Sequence, residues 1–206
     1  GWTSCSCPLC RNSAHPDRSE DDTLKVLLTG ALGNIGLATL TALLAEGHDV
    51  VAFDLDSPRA RKLAGDRSFK DRVRFVWGDI TRPESIAEAL HGVHAVIHLA
   101  AIIPPQSDRA PDLARRINLD ATRTLIALME DSPTAKRLLF ASSQGVFGDV
   151  QDREPPLRAD TPVSPTDEYG RHKVACEEAI RRSRLRWSIL RLAAVTPIHL
   201  QAQDPS

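Results

Sequence analysis

The stretch Leu24-Lys25-Val26-Leu27-Leu28-Thr29-Gly30-Ala31-Leu32-Gly33-Asn34-Ile35-Gly36 decides how the rest of the chain is read. Its first half is a short, nearly continuous apolar run that stops at a glycine. Its second half has the spacing G-x-x-G-x-x-G and leads into a helical pattern over 35–46. A strand apolar on both faces, a tight turn and a helix therefore meet here. Gly30 permits the turn, Gly33 lets the backbone approach a pyrophosphate, and Gly36 lets the helix pack closely on the sheet. A pyrophosphate would then meet free N–H groups at the helix N-terminus.

An acid follows at the matching distance. Asp54 closes the next apolar run, 49–54, and stands 18 residues beyond Gly36. Its carboxylate can accept both hydroxyls of an adenosine ribose and repels a 2′-phosphate, so NAD is expected as cofactor and NADP disfavoured. Arg59 and Arg61, close behind, could soften that preference. Apolar runs at 72–77, 95–99, 137–141 and 187–192 repeat the strand pattern. Helical patterns lie between them over 59–63, 83–90, 112–131 and 168–184. Pro83 suits a first helical turn and Gly47 a helix C-terminus. The alternation predicts an α/β fold, a Rossmann-like doubly wound parallel sheet of strand order 3-2-1-4-5-6 with helices on both faces. Two proline-bearing stretches, 102–111 and 144–167, each follow a strand and so fall at the carboxyl edge, where such sheets bind ligands.

Composition narrows the function classes. The 206 residues are 42% hydrophobic and 26% charged, enough to bury a core. Twenty-six basic against 27 acidic residues give a net charge of -1, which offers no footprint for nucleic acid or an anionic membrane. The longest apolar run, 95–103, is interrupted by His98 and too short to span a bilayer. The first residues lack the basic-then-apolar order of a signal peptide, so a soluble, cytoplasmic protein is expected. Residues 1–22 are polar and aperiodic and read as a disordered tail, with order beginning at Thr23. Cys5, Cys7 and Cys10, with His15, could hold zinc, but no paired knuckle follows; they read as incidental thiols and no metal is expected. Cys176 sits in a helical pattern as a small packed side chain.

Further polar residues stand at strand ends. Asp79 could accept the exocyclic amine of an adenine or cap the following helix. His98 in its apolar strand reads as neutral and packed, and Ala100 and Ala101 are small where a cofactor would pass the backbone. The chain has one tyrosine, Tyr169, four residues before Lys173 on a predicted helix, so the two share a face. A phenol with pKa near 10 is a poor base at neutral pH, and a nearby ammonium lowers it. Such a pair can move a proton on or off a hydroxyl or carbonyl oxygen, which Ser142-Ser143 just after strand five could hold.

Thr29-Gly30-x-x-Gly33-x-x-Gly36, the acid after strand two, Gly78-Asp79-Ile80, His98-Leu99-Ala100-Ala101, Ile117-Asn118-Leu119, A-S-S-x-x-V-F-G over 141–148 and Y-x-x-x-K together resemble the extended short-chain dehydrogenase/reductases. That branch includes the NAD-dependent sugar epimerases and dehydratases. The resemblance runs from Leu24 to about Pro197, and the gap of 26 residues from Ser143 to Tyr169 is long, as in the extended branch. It implies that Asn34 and Ile35 line the pyrophosphate, Asp54 binds the adenosine ribose, Asp79 and Ile80 flank the adenine, and Leu99, Ala100 and Ala101 run beside the cofactor. It implies further that Asn118 holds the active-site lysine through its backbone or a water, and that Ser143 orients the substrate oxygen. Tyr169 would be the acid/base, and Lys173 would bind the nicotinamide ribose while lowering the phenol's pKa. Residues 23–196 would then form an NAD-binding domain carrying the catalytic motif, and 197–206 the stub of a C-terminal substrate lobe. Many members carry Arg-x-x-Asn after strand six; here Arg191-Leu192-Ala193-Ala194 lacks the Asn. The expected activity is NAD-dependent hydride transfer at a secondary alcohol or carbonyl carbon of a sugar or nucleotide sugar. The alternative is a catalytically silent NAD-binding module or fragment that acts as a sensor or interaction protein. The expected partners are a sugar-like small molecule and, as an option, a second copy of the chain in a homodimer.

Overall fold

Leu27 and Leu28 are adjacent in sequence, so one strand turns them to opposite faces, and both are completely buried. A strand reads this way only when its sheet is covered on both sides. The computed structural model describes residues 23–65, 69, 72–150 and 155–195. The expected tail 1–22, with Cys5, Cys7 and Cys10, and the expected stub 197–206 lie outside the described residues.

The chain alternates β1 (Lys25–Thr29), α1 (Asn34–Ala45), β2 (Asp49–Asp54), α2 (Pro58–Ala64), β3 (Val73–Trp77), α3 (Pro83–Ala89) and β4 (Ala95–His98). It continues through α4 (Gln106–Arg109), α5 (Pro111–Arg115), a π-helical turn (Arg116–Asp120) and α6 (Ala121–Asp131). Then come β5 (Arg137–Ser143), a 3-10 turn (Gln144–Phe147), α7 (Glu168–Arg182) and β6 (Arg186–Leu192). The six strands form one parallel sheet in the expected order 3-2-1-4-5-6. Pro83 opens α3, and Gly47 follows α1 at φ +83°, a conformation that favours glycine.

Two apolar cores flank the sheet. Leu27, Val51, Val96, Leu138 and Phe140 pack against α3, α6 and α7 through Ile86, Leu125, Met129, Cys176 and Ile180. On the other face Leu28, Val50 and Ala52 meet Leu40 of α1, with Leu43, Leu44, Phe75 and Ile97 around them.

Three expectations need correction. The pattern 112–131 is not one helix: the π-helical turn separates α5 from α6 and buries Asn118 and Leu119. Apolar spacing runs unbroken through that extra residue per turn, so periodicity does not register it. Ser142 and Ser143 belong to β5 rather than following it. The sixth strand is not covered on both faces. It is one of the two edge strands, and Trp187 and Leu190 are 41% and 45% exposed.

A fully buried polar side chain lies at the end of β4. His98 is 1% exposed and sits between two hydroxyls, with Nδ1 2.7 Å from Thr29 Oγ1 and Nε2 3.0 Å from Thr122 Oγ1. Thr122 donates its own proton to the Asn118 carbonyl, so it accepts from His98 Nε2–H. Thr29 Oγ1 accepts from the N–H groups of Leu99 and Ala100, which leaves its proton for Nδ1. The neutral imidazole is fully satisfied, and burial, with the Lys173 charge adding to it, lowers its pKa to about 3. An unfolded chain would take up this proton near pH 6.5, so between pH 6.5 and 3 the unfolded state binds more protons and folding weakens as pH falls. The full window is worth ~5 kcal/mol at most. Stability measured by denaturant titration from pH 6.5 down to 5 should fall more steeply for the parent chain than for His98→Asn. Parallel slopes would show that His98 titrates normally.

Candidate active site

The carboxyl edge begins at the glycine loop. A Cβ on Gly36 would collide with the Gly30 carbonyl and with the Ala31 backbone, so only glycine lets α1 start this close to the turn. Gly30 has φ +68°, and a Cβ there would lie 3.0 Å from the Ala100 amide. The loop and the strip after β4 are therefore packed backbone to backbone. Gly33 is the N-cap of α1 and no side chain caps the helix or places an acid in its first turn. The N-terminus at Asn34 and Ile35 thus has donors to offer an anion, and the residues present fit a pyrophosphate.

Asp54 closes β2 beside this loop. Its Oδ2 accepts from Leu32 N at 2.7 Å and its Oδ1 from Leu55 N at 2.8 Å. Two backbone donors hold the carboxylate in place, and each oxygen keeps a lone pair for a ribose hydroxyl. Arg61 is committed elsewhere. It forks onto Asp56 at 2.8 Å through both Nε and Nη2, and its guanidinium carbon lies 4.3 Å over the Trp77 ring. Asp79 Oδ1 accepts from Thr81 N and Thr81 Oγ1, both at 2.8 Å. It does not cap α3, whose N-cap is Arg82, three residues further on. Ile80 is buried, and Leu99, Ala100 and Ala101 are half-buried along the strip after β4.

Ser143, Tyr169 and Lys173 come together at the other end of the edge. Asp167 caps α7 by accepting from Gly170 N at 2.6 Å. A Cβ on Gly170 would lie 2.8 Å from the Gly145 carbonyl, so the first turn of α7, with Tyr169, is seated on the turn that follows Ser143. Ser143 Oγ accepts from Gly145 N at 3.1 Å, which leaves its proton free to donate. Lys173 Nζ donates to the Ala141 carbonyl at 2.7 Å and lies 4.6 Å over the Phe140 ring and 5.5 Å from the Tyr169 ring centroid.

The protonation states differ from the expected ones. Burial lowers the Lys173 pKa to about 8, with Cys176 and Glu177 opposing. Burial, and then the Asp167 charge, push the Tyr169 phenol up to about 12 rather than down. The ammonium that was expected to lower it is spent on the Ala141 carbonyl. The Asn118 side chain is engaged with Ile102: its Oδ1 accepts from Ile102 N and its Nδ2 donates to Ile102 O, both at 2.8 Å. Its carbonyl takes Thr122 Oγ1 at 2.8 Å and Cys176 Sγ at 3.1 Å.

Sequence reasoning missed Glu177. It is buried one turn beyond Lys173 and accepts from Ser142, Arg181 and Arg191. The available signal was an acid on the same face of α7 as Tyr169, Lys173 and Ile180, where an apolar residue belongs.

Residues 26–200 match the NAD dependent epimerase/dehydratase family. The chain belongs to that family. A D-erythronate dehydrogenase from Cupriavidus necator is 32% identical over 186 residues, which are 84% of this chain and 56% of the relative. UDP-glucose 4-epimerase 2 from Arabidopsis thaliana is also 32% identical, over 84% of this chain and 52% of its own length. The crystal structure of a short-chain dehydrogenase/reductase superfamily protein from Agrobacterium tumefaciens with bound NAD superposes at TM-score 0.67 and 28% identity. That match covers 81% of this chain and 48% of the other. The chain thus spans about half the length of the relatives it matches. Among the described residues, no helix is long and apolar enough to cross a membrane.

The buried lysine has a thermodynamic signature. Its pKa is near 8 when folded and 10.5 by reference, so between those values the unfolded chain binds more protons and folding strengthens as pH rises. Lys173→Met should be at least as stable as the parent at pH 7, by up to ~3 kcal/mol. Its advantage should shrink as pH is raised from 8 to 10.5. Melting curves of both proteins across that range test this, and a constant difference would show that the ammonium costs the fold nothing.

Proposed function

We propose that the protein is an NAD-dependent oxidoreductase acting at a secondary alcohol or carbonyl carbon of a sugar or nucleotide sugar. The observation that carries this reading is the seating of the helix turn with Tyr169 on the turn after Ser143, with Lys173 held on the Ala141 carbonyl beside it, on the same sheet edge as the glycine loop and Asp54. NAD, when bound, supplies a hydride acceptor. The loop Gly30–Gly33–Gly36 and the helix end at Asn34 and Ile35 hold its pyrophosphate. Asp54 holds the adenosine ribose, Asp79 and Ile80 border the adenine, and Leu99, Ala100 and Ala101 flank the path to the nicotinamide. Ser143 donates a hydrogen bond to the substrate oxygen.

Tyr169 exchanges the proton on that oxygen. At neutral pH its phenol is protonated, the form needed to protonate an oxyanion. To accept a proton it needs a positive charge nearer than the present Lys173 position provides. Lys173 supplies it by turning from the Ala141 carbonyl towards the phenol and the nicotinamide ribose. Asn118 keeps the start of the segment that leads into α4 in place beside the site through Ile102. Two relatives' names support this substrate class: one is a D-erythronate dehydrogenase and another a UDP-glucose 4-epimerase.

Two expected outcomes test the reading. NAD should bind at least about tenfold more tightly than NADP, roughly 1.4 kcal/mol, by calorimetry. Asp54→Asn should narrow that ratio, and Asp56→Ala, by freeing Arg61, should strengthen NADP. Equal affinities in the parent would take the ribose contact away from Asp54. Tyr169→Phe should leave NAD affinity within a few-fold and lower turnover of D-erythronate or UDP-glucose by at least ~10²-fold. NADH absorbance and product chromatography read this out. Full activity in Tyr169→Phe would remove the phenol from the reaction; where the parent binds NAD without turnover, a longer chain that carries a substrate lobe decides, turnover there supporting the oxidoreductase and none favouring a binding module.

A further inference from the structure

Glu177 is 1% exposed, and its carboxylate is saturated. Oε1 accepts from Ser142 Oγ at 2.6 Å and from Arg191 Nε at 3.0 Å. Oε2 accepts from Arg191 Nη2 and Arg181 Nη2, each at 2.8 Å. A buried cluster of this kind can often be replaced by apolar side chains without loss of stability, so the fold alone does not call for it.

Its placement is specific to the site. Lys173 and Glu177 are i and i+4 on α7, and they grip consecutive residues of β5, the Ala141 carbonyl and the Ser142 hydroxyl. The next residue is Ser143. Arg191, the register partner of Ser142 on β6, forks onto Glu177 and lies 4.9 Å over the Phe147 ring. Its Nη1 donates to the Ala159 carbonyl at 3.1 Å, in the segment that returns to α7.

The cluster also sets the local charge. Burial pushes the Glu177 carboxyl up, but the hydrogen bonds from Arg191, Ser142 and Arg181 outweigh it and hold it below the usual carboxylate range. The other titratable groups around Lys173 are uncharged at neutral pH. Tyr169 and Cys176 on α7 are raised by burial, and His98 on β4 is neutral. Glu177, one helical turn beyond Lys173 on α7, is the ionised group among these neighbours.

We propose that Glu177 and Arg191 are the positioning pair of this site. The carboxylate fixes the Ser142–Ser143 end of β5 against α7 and is the counter-charge of Lys173, and the guanidinium carries the same hold to the loop at Ala159. The proposal rests on the reading of Ser143, Tyr169 and Lys173 as the reacting set. Neither member of the pair touches the reacting atoms; both act through their neighbours.

Glu177→Gln keeps the shape and removes the charge. The Lys173 amine, titrated in the ligand-free protein through its side-chain carbon resonance, should then deprotonate at a pH lower by roughly one unit. Amide exchange should quicken tenfold or more beyond any change in global stability at Gly145, which donates to Ser143 Oγ, and at Ser164, which donates to the Val146 carbonyl. Arg191→Lys keeps a positive charge but loses the fork, so it should quicken exchange at Ser164 and leave the lysine midpoint near the parent's. If Glu177→Gln does not fold, the double variant Glu177→Met/Arg191→Met strands neither member of the pair, and the same exchange at Gly145 and Ser164 should quicken. An unchanged Lys173 midpoint, or exchange that follows global stability alone, would reduce the cluster to a brace and overturn the proposal. These readings need neither cofactor nor substrate, so they fail or succeed separately from the hydride-transfer reading.

Discussion

A chain of hydrogen bonds runs under the whole carboxyl edge, from Thr29 to His98 to Thr122 to the carbonyl of Asn118. Its two ends reach the two halves of the site. At one end, Thr29 Oγ1 also accepts from Leu99 and Ala100, which presses the strip after β4 against Gly30. At the other, Asn118 holds Ile102 through its carboxamide and Cys176 of α7 through its carbonyl. Each group in the chain has one donor direction consistent with its neighbours, so the imidazole is neutral and fixed in one tautomer. Protonating it would leave Thr29 with a donor facing a donor, and the resulting break would fall between the glycine loop and the helix that carries Tyr169 and Lys173. That dependence makes a buried histidine in an apolar strand worth its burial without any role in chemistry.

Against this neutral spine the site sets one buried cation and one buried anion, Lys173 and Glu177. Each alone would be costly to bury. The anion is saturated by four donors from three side chains, whereas the cation has a carbonyl, an aromatic face and a distant counter-charge. The asymmetry is chemically sensible. The Glu177 carboxylate is fully bonded, while the Lys173 ammonium makes one hydrogen bond to the Ala141 carbonyl and keeps donors in reserve, as the proposed turn towards the phenol requires.

Much of this was legible from residue types and spacing. The strand order, the cradle over Gly30 to Gly36 and the Tyr169–Lys173 pair all follow from apolar periods and small residues, because local sterics and burial on two faces leave little else for such patterns to form. What escaped depends on tertiary detail. The extra residue of the π-helical turn at Arg116–Asp120 shifts no apolar spacing enough to be seen. The direction of the Tyr169 shift turns on where the Lys173 ammonium points and on how deeply the phenol is buried, and neither is encoded in a spacing of four. Arg191 looked like half of a broken motif. Its partners lie on the preceding helix α7 and in a loop more than thirty residues upstream, so no local window could assign them.

The adjacent serines show how the sheet divides labour at single-residue resolution. The period of two along β5 puts Ser142 on the face of Leu138 and Phe140, the face that α7 covers, and turns Ser143 the other way. Ser142 is buried and gives its proton to Glu177, so it is closed to a substrate. Ser143 accepts from Gly145 and retains its proton at the strand's open end. Two identical side chains thus acquire opposite roles from parity alone. A one-residue slip in β5 would exchange them, and it would also move the Ala141 carbonyl away from Lys173. The same bonds that hold the ammonium therefore fix the register that exposes the serine.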